Sequence, residues 1–395
     1  MKKVDRWLLP DGIEEMLPKQ ASQVEGLRRR LVDLFERWGY DYVIPPMMEF
    51  TDSLLTGAGE DISLLTFKLT DQISGKMLGL RADITPQVAR MDAHSLKREG
   101  VNRLCYAGHV AHTLPKGPLS SRTPIQAGIE LFGESGTEAE LEVLSLLLTT
   151  LEVAGLPEQY LDIGHVGIYR GLSKAAGLNE AQETALFELM QVKALPEIDN
   201  WLESEVEDTQ SRDWLAQLPR FSGNADVLEE AAAFYCSAPD TVRQSIQELN
   251  VVASQLALRF PNAQLYFDLS ELRGYHYLTG MVFGAFAPGV GTAIANGGRY
   301  DQVGEAFGRS RPASGFAVDL SAVRALLSDQ AASSQRQAIF APYSSDAAYW
   351  LEVQRLRAAG ERVICGFSDQ EQVHDYQRCT RILKKNTDGY IVVDL

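Results

Sequence analysis

The stretch Arg103–Gly133, RLCYAGHVAHTLPKGPLSSRTPIQAGIELFG, decides how the chain is to be folded. Its two ends read as strands and its centre, with Pro115, Gly117 and Pro118, reads as a long loop. Within PIQAGIELF the side chains alternate with period two. Gln126, Gly128 and Glu130 share one face; Ile125, Ala127, Ile129 and Leu131 share the other. The apolar face is expected to pack on a core. The polar face offers an amide, a gap and a carboxylate. It either meets solvent or lets a small ligand approach the backbone closely. The loop's middle, HVAHTLPKG, holds a single lysine and no acid.

Toward the N-terminus, Val24, Leu27, Leu31, Leu34 and Phe35 recur at helical spacing, and Gly39 ends that helix. YDYVIPPMMEF follows as a β-rich segment. A hairpin is expected with strands near Leu65–Leu69 and Met77–Leu80, a turn at Ser74 and Gly75, and a helix starting near Pro86. Beyond the opening stretch, TEAELEVLSLLLTTLEVAGL is a long helix and YLDIGHVGIY a strand. Residues of about 171–260 read as almost wholly helical. Strands return in QLYFDLSEL, YLTGMVFGAFA and TAIANGGRYD, and PASGFAVDLSAVRALLSD runs from strand into helix. QAASSQRQ is a polar linker to a tail that alternates strand and helix as a small βαβαβ unit. The expected organisation is an α+β body over 1–330 carrying the helical insertion, and a small α/β domain over 331–395.

Composition removes several classes of function. The chain has 395 residues and a formal charge of −16, and its acidity argues against a large nucleic-acid footprint. No apolar run is long and uncharged enough to span a bilayer, and the start, MKKVDRWLLPDGIEEMLP, is not a secretory signal, so a cytoplasmic protein with no membrane partner is expected. Cys105, Cys236, Cys365 and Cys379 are scattered without a CxxC pair, and the six histidines fall at no metal-binding spacing. GVGTAIANGG lacks the βαβ context of a dinucleotide site. There is no P-loop, HExxH or GxSxG. No catalytic residue, metal or cofactor is assigned.

Two further segments carry chemistry. LRADITPQ places Asp83 and Thr85 at a strand-to-helix junction, where they serve as caps or, with Glu130, receive an ammonium group. ELRGYHYLTGMVFGAF gathers Arg273, Tyr275, His276 and Tyr277 beside Gly274 and Gly280. That grouping suits a planar ligand or a carboxylate, and equally a structural hairpin with one exposed arginine.

Together these segments resemble the core of a class II aminoacyl-tRNA synthetase, and specifically histidyl-tRNA synthetase, from Leu9 to about Leu327. LPDGIEEMLP is similar to that family's opening. GYDYVIPPMMEF resembles its dimer-forming motif 1, and Arg103–Gly133 its motif 2. LRGYHYLTGMVF and NGGRYD resemble its histidine-specific segments, and ASGFAVDLSAVRALL its motif 3. The resemblance implies an antiparallel sheet core with helices, and an anticodon-binding-like tail that stops short. Adenylation in that family needs a motif 2 arginine and following glutamate where His112 and Leu114 stand. It also needs a motif 3 Glu-Arg pair where Ser321 and Ala322 stand. A phosphoryl-type transition state rests on fixed positive charge, and neither histidine nor alanine replaces a guanidinium. The amino-acid residues fare better. Gln126 and Glu130 match the strand residues that hold histidine, and Asp83, beside Thr85, replaces a longer glutamate. Arg273 matches the histidine-specific arginine, and Tyr275 or Tyr277 supplies the aromatic contact.

A synthetase frame with its ATP residues gone resembles a paralogous family, the regulatory subunits of ATP phosphoribosyltransferase; GYHYLTG resembles that family closely. This implies a non-catalytic subunit that activates the short-form catalytic subunit in the first step of histidine biosynthesis. It also implies a dimer of this chain within a hetero-octamer, histidine as allosteric feedback ligand, and no nucleic-acid partner.

Overall fold

The computed structural model describes the chain except residues 1–6, 57–59, 116, 118, 119, 157, 276, 328–337, 368–378 and 388. It divides into two compact units, Met1–Leu327 and Ser328–Leu395.

The strands of the first unit, in chain order, are β1 (Asp41–Tyr42), β2 (Met48–Phe50), β3 (Lys68–Thr70), β4 (Met77–Leu80), β5 (Asn102–His109) and β6 (Ile125–Phe132). They continue with β7 (Tyr160–His165), β8 (Ser222–Gly223), β9 (Gln264–Asp268), β10 (Met281–Phe286), β11 (Ala295–Arg299) and β12 (Ala313–Asp319). Nine of them form one sheet in the order β1-β5-β6-β12-β11-β10-β7-β9-β8, and β2-β4-β3 form a second. The large sheet is antiparallel except at the β1–β5 and β7–β9 pairs, which gives the α+β class II synthetase-like architecture.

One face of this sheet is the core. The helix Pro18–Arg37 buries Val24, Leu27, Leu31, Leu34 and Phe35, and Phe35 meets Phe316 of β12 edge-on at 6.0 Å. Ala127, Ile129 and Leu131 of β6 are fully buried, as the alternation requires. The helices Thr137–Ala154 and Leu320–Leu326 complete this layer.

Helices dominate residues 166–259, and two local readings before and within the 171–260 run differ from the structure. VGIY, read as the end of a strand, opens the helix Val166–Ala175, because His165 turns out of the sheet and its Nδ1 accepts the Gly167 amide at 3.1 Å. Within the run, Ser222–Gly223 forms the edge strand β8 against β9. The first hairpin strand begins only at Lys68, since Glu60–Leu65 is helical. Gly75 turns the hairpin at φ +69°.

In the second unit, β13 (Ala338–Ala341), β14 (Val363–Cys365), β15 (Cys379–Asn386) and β16 (Gly389–Asp394) make a four-stranded sheet. β13 runs parallel to both β14 and β15, and β16 returns antiparallel. The linker 330–337 lies outside the described residues.

Candidate functional site

On the other face of the large sheet, the register brings three strands to one spot. Gly128 of β6 pairs with Tyr106 of β5 and with Ala317 of β12; Glu130 pairs with Leu104 and Gly315. Partners opposite one another in a sheet point the same way, so Tyr106, Gly128, Glu130 and Gly315 share this face. Both glycines are needed for close approach. A Cβ on Gly128 would lie 2.6 Å from the Tyr106 hydroxyl, and one on Gly315 would collide with the Glu130 carboxylate.

Glu130 is the centre. It is 1% exposed, so the reading in which its face meets solvent is wrong: the segment Arg81–Thr85 and the tyrosines cover it. Tyr106 donates to Glu130 Oε1 at 3.1 Å, and Tyr300 donates to Oε2. The Thr85 hydroxyl lies 3.3 Å from that of Tyr106. Burial pushes the Glu130 carboxyl up to about 8; the Tyr300, Thr85 and Tyr106 hydroxyls pull it down, and the nearby Asp83 charge pushes it further up. The same burial, with the Glu130 charge beside them, drives the phenols of Tyr106, Tyr277 and Tyr300 well above their ordinary range.

The site carries two buried polar atoms without a hydrogen-bond partner among the described residues, Gln126 Oε1 and the Tyr277 hydroxyl. Tyr277 stacks on Tyr300, ring centroids 5.2 Å apart. Such orphaned groups cost free energy until they are paired and mark where a ligand's donors and acceptors would fit. Asp83 also acts as the local cap that its position suggested: its Oδ1 accepts the Thr85 amide at 3.2 Å.

Of the two aromatic candidates, the structure brings only Tyr277 to Glu130. Tyr275 faces the helical insertion instead. Its hydroxyl donates to Glu183, its ring lies 5.1 Å from Phe187 and 5.4 Å from Tyr169, and Arg170 sits over it and donates to its carbonyl at 2.6 Å. The two tyrosines are two residues apart and would share a face in a strand; here the chain turns instead, with Gly274 at φ +69° and the Tyr277 amide donating to the Gly274 carbonyl at 2.8 Å, so one ring faces the pocket and the other the helices. His276, between them, lies outside the described residues.

Arg273 is farther off. Its guanidinium lies over Gly284 of β10, three strands from β6, which is about 14 Å at the usual interstrand spacing. It is engaged there: Nη1 donates to Asn296 at 3.0 Å and Nη2 to Glu271 at 3.1 Å. Beside it, Asp162 keeps a buried Oδ1 without a partner, and burial, with Glu271 and Asp268 nearby, pushes its carboxyl up to about 7. Sequence reading missed Tyr106, Asp162, Glu271, Asn296 and Tyr300. The parity of β5 against β6 was the available signal for Tyr106, and NGGRYD was the signal for Tyr300.

The four positions where an ATP grip would stand hold no such group. His112 is buried, with its Nε2 2.9 Å from the Ala82 carbonyl, and Leu114 is 66% exposed. Ser321 and Ala322 form the first turn of a helix, where their amides donate to Asp319 Oδ1 at 2.8 and 3.2 Å. Among the described residues no cluster of His, Cys, Asp or Glu could hold a metal ion, and no helix is long and apolar enough to cross a membrane.

Sheet topology and pocket together define a histidyl-tRNA synthetase-like protein of class II architecture. The histidyl-tRNA synthetase family model matches residues 12–323. A solved structure titled as an ATP phosphoribosyltransferase regulatory subunit/histidyl-tRNA synthetase from Bacillus halodurans aligns with TM-score 0.82 and 25% identity, covering 95% of this chain and 97% of that one. Histidyl-tRNA synthetase from Nostoc sp. PCC 7120 shares the fold, with TM-score 0.79 at 18% identity over 98% and 97% of the two chains. The rest of the chain narrows the class. Residues 336–393 match the C-terminal domain of the ATP phosphoribosyltransferase subunit HisZ. The chain is 60% identical to the ATP phosphoribosyltransferase regulatory subunit of Teredinibacter turnerae over 99% of both, and 58% identical to that of Saccharophagus degradans over 100% of both. The chain belongs to the ATP phosphoribosyltransferase regulatory subunit family, a non-catalytic class of subunit in histidine biosynthesis.

Proposed function

We propose that this chain binds free histidine on the Glu130 face and, in the cytoplasm, couples that binding to the activity of a short-form ATP phosphoribosyltransferase catalytic subunit. The observation that carries the reading is the split between the two halves of the old active site. The amino-acid half keeps a buried carboxyl and two orphaned polar atoms, Gln126 Oε1 and the Tyr277 hydroxyl. The ATP half has His112, Leu114, Ser321 and Ala322 in place of its charges. In this reading Glu130 and Tyr277 receive the imidazole, Asp83 and Thr85 receive the ammonium group, and Gln126 adds a hydrogen bond. Arg273 stands at the far end of the face. Tyr275 takes no part in contact.

Histidine regulates only through unequal affinity for two states of the assembly. The proposed assembly is a dimer of this chain joined to catalytic subunits in a hetero-octamer. The deciding experiment measures turnover of a short-form catalytic subunit with and without this chain, and with and without histidine. Activation by the chain, and inhibition by histidine that Glu130→Ala abolishes, are expected. A catalytic subunit indifferent to the chain, or inhibition unchanged in the variant, refutes the reading.

A further inference from the structure

Arg81 is a buried arginine with no carboxylate on it. It is 6% exposed, it forms no ion pair among the described residues, and its Nε and Nη1 are spent on two main-chain carbonyls, those of His109 at 2.7 Å and Pro45 at 2.9 Å. The acid near enough to act on it, Glu49, is already bonded to Arg90 at 2.5 Å and to Gln87 at 2.8 Å. Nη2 has no hydrogen-bond partner among the described residues. A buried charge with no counter-ion is costly, and burial lowers the pKa of this guanidinium.

Nη2 also has a definite place. It lies over Gly108, close enough that a Cβ there would collide with it. Gly108 is the cross-strand partner of Gln126, on the same face as Tyr106 and Glu130. Arg81 Nη2 therefore lies against the strand pair that carries the orphaned Gln126 Oε1 acceptor. By contrast Arg273, the other arginine of this face, is already paired with Glu271 and Asn296.

We infer that Arg81 is the carboxylate anchor of this pocket. Its Nη2 takes the anionic end of a free amino acid whose other end reaches Glu130. The inference rests on the amino-acid reading above and deepens it. The spacing fits. Gln126 and Glu130 are four strand residues apart, about 13 Å, and the Glu130 carboxylate leans back to the Tyr106 hydroxyl beside Gly128, so the gap to be bridged is at most about that. Histidine measures about 6.5 Å from a carboxylate oxygen to the far imidazole nitrogen at ordinary bond lengths. A hydrogen bond of about 2.8 Å at each end extends that reach to about 12 Å. The anchor sits where His112 touches the Ala82 carbonyl, beside the position emptied of its motif 2 arginine.

The test is calorimetric titration of the full chain with L-histidine and with histamine, which lacks the carboxylate. Wild type is expected to prefer histidine by about tenfold or more, the worth of a charge-assisted hydrogen bond. Gly108→Ala keeps the arginine and displaces its Nη2. It is expected to erase the preference by weakening histidine alone, with histamine affinity changed less than about twofold. Arg81→Gln should do the same, and if it fails to fold, Gly108→Ala still decides. Arg273→Ala should leave most of the preference intact. A ratio unchanged in Gly108→Ala, or lost only in Arg273→Ala, overturns the anchor while leaving the pocket standing. Wild type that binds neither ligand defeats the amino-acid reading, and the anchor with it.

Discussion

Replacing Glu130 by glutamine removes one titration from the heart of the fold, and its effect on stability has a definite sign. Glu130 is held at about 8 in the folded chain against an ordinary 4.5. Between those values the folded state holds a proton that the unfolded chain has released. Stability changes with pH in proportion to protons bound unfolded minus protons bound folded, so it falls as pH rises through this window. Below about 4.5 both states are protonated and above about 8 both are ionised, and there the contribution is flat. The full drop corresponds to about 5 kcal/mol at about 1.4 kcal/mol per pH step, an upper bound because water entry and relaxation soften a buried charge. Glutamine mimics the protonated carboxyl in shape and neutrality. The check is urea unfolding of wild type and Glu130→Gln across the window, followed by circular dichroism. The stability difference should move in favour of the variant from acid to alkaline pH, by roughly 2 to 5 kcal/mol in total. Asp162, raised to about 7, titrates in both proteins and cancels in the difference. Parallel curves over this range would refute the buried, uncompensated carboxyl on which the pocket assignment stands.

Other outcomes follow from the same geometry. Tyr277→Phe removes a buried hydroxyl that has no partner, so urea stability should hold or rise by up to about 1 kcal/mol, while calorimetry shows histidine affinity falling about tenfold. Tyr275→Phe loses the bond to Glu183, costing about 1 kcal/mol of stability, and should leave histidine affinity unchanged. Calorimetry in buffers of different ionisation enthalpy reads the orientation of histidine. An ammonium group on Glu130 expels close to one proton near neutral pH, whereas an imidazole there takes the proton onto its ring, and net release near zero is expected. Histidine-dependent exchange of pyrophosphate into ATP should be undetectable, since both ATP-holding positions lack their arginine; clear exchange would overturn the non-catalytic assignment.

What the sequence discloses here depends on whether a residue's role is set by period or by register. PIQAGIELF displays its two faces through alternation alone, and the burial of Ala127, Ile129 and Leu131 follows from that. Tyr106 and Tyr300 close on Glu130 only because β5 pairs with β6 residue for residue and the chain leaves β11 directly into Tyr300. The motif NGGRYD flags Tyr300, but neither tyrosine's contact with Glu130 is written in its own segment. The choice between Tyr275 and Tyr277 is of the same kind: the turn at Gly274 sends one ring to the helical insertion and the other to the ligand face. Arg81 is the sharpest case. In LRADITPQ it sits between a strand and a cap, and nothing in the letters separates it from an ordinary surface arginine. Its meaning comes from what surrounds it: two carbonyls that hold it, a glycine that makes room for it, and a nearest acid, Glu49, already bonded to Arg90 and Gln87. The loop HVAHTLPKG lost the charge that the ATP frame required, yet the face beside it still carries a cation, supplied by the segment that follows β4. A fold that gives up nucleotide chemistry while keeping amino-acid recognition still has to neutralise a carboxylate. Here the group that could do so lies just past β4, before the motif, outside the segment where the synthetase pattern directs attention.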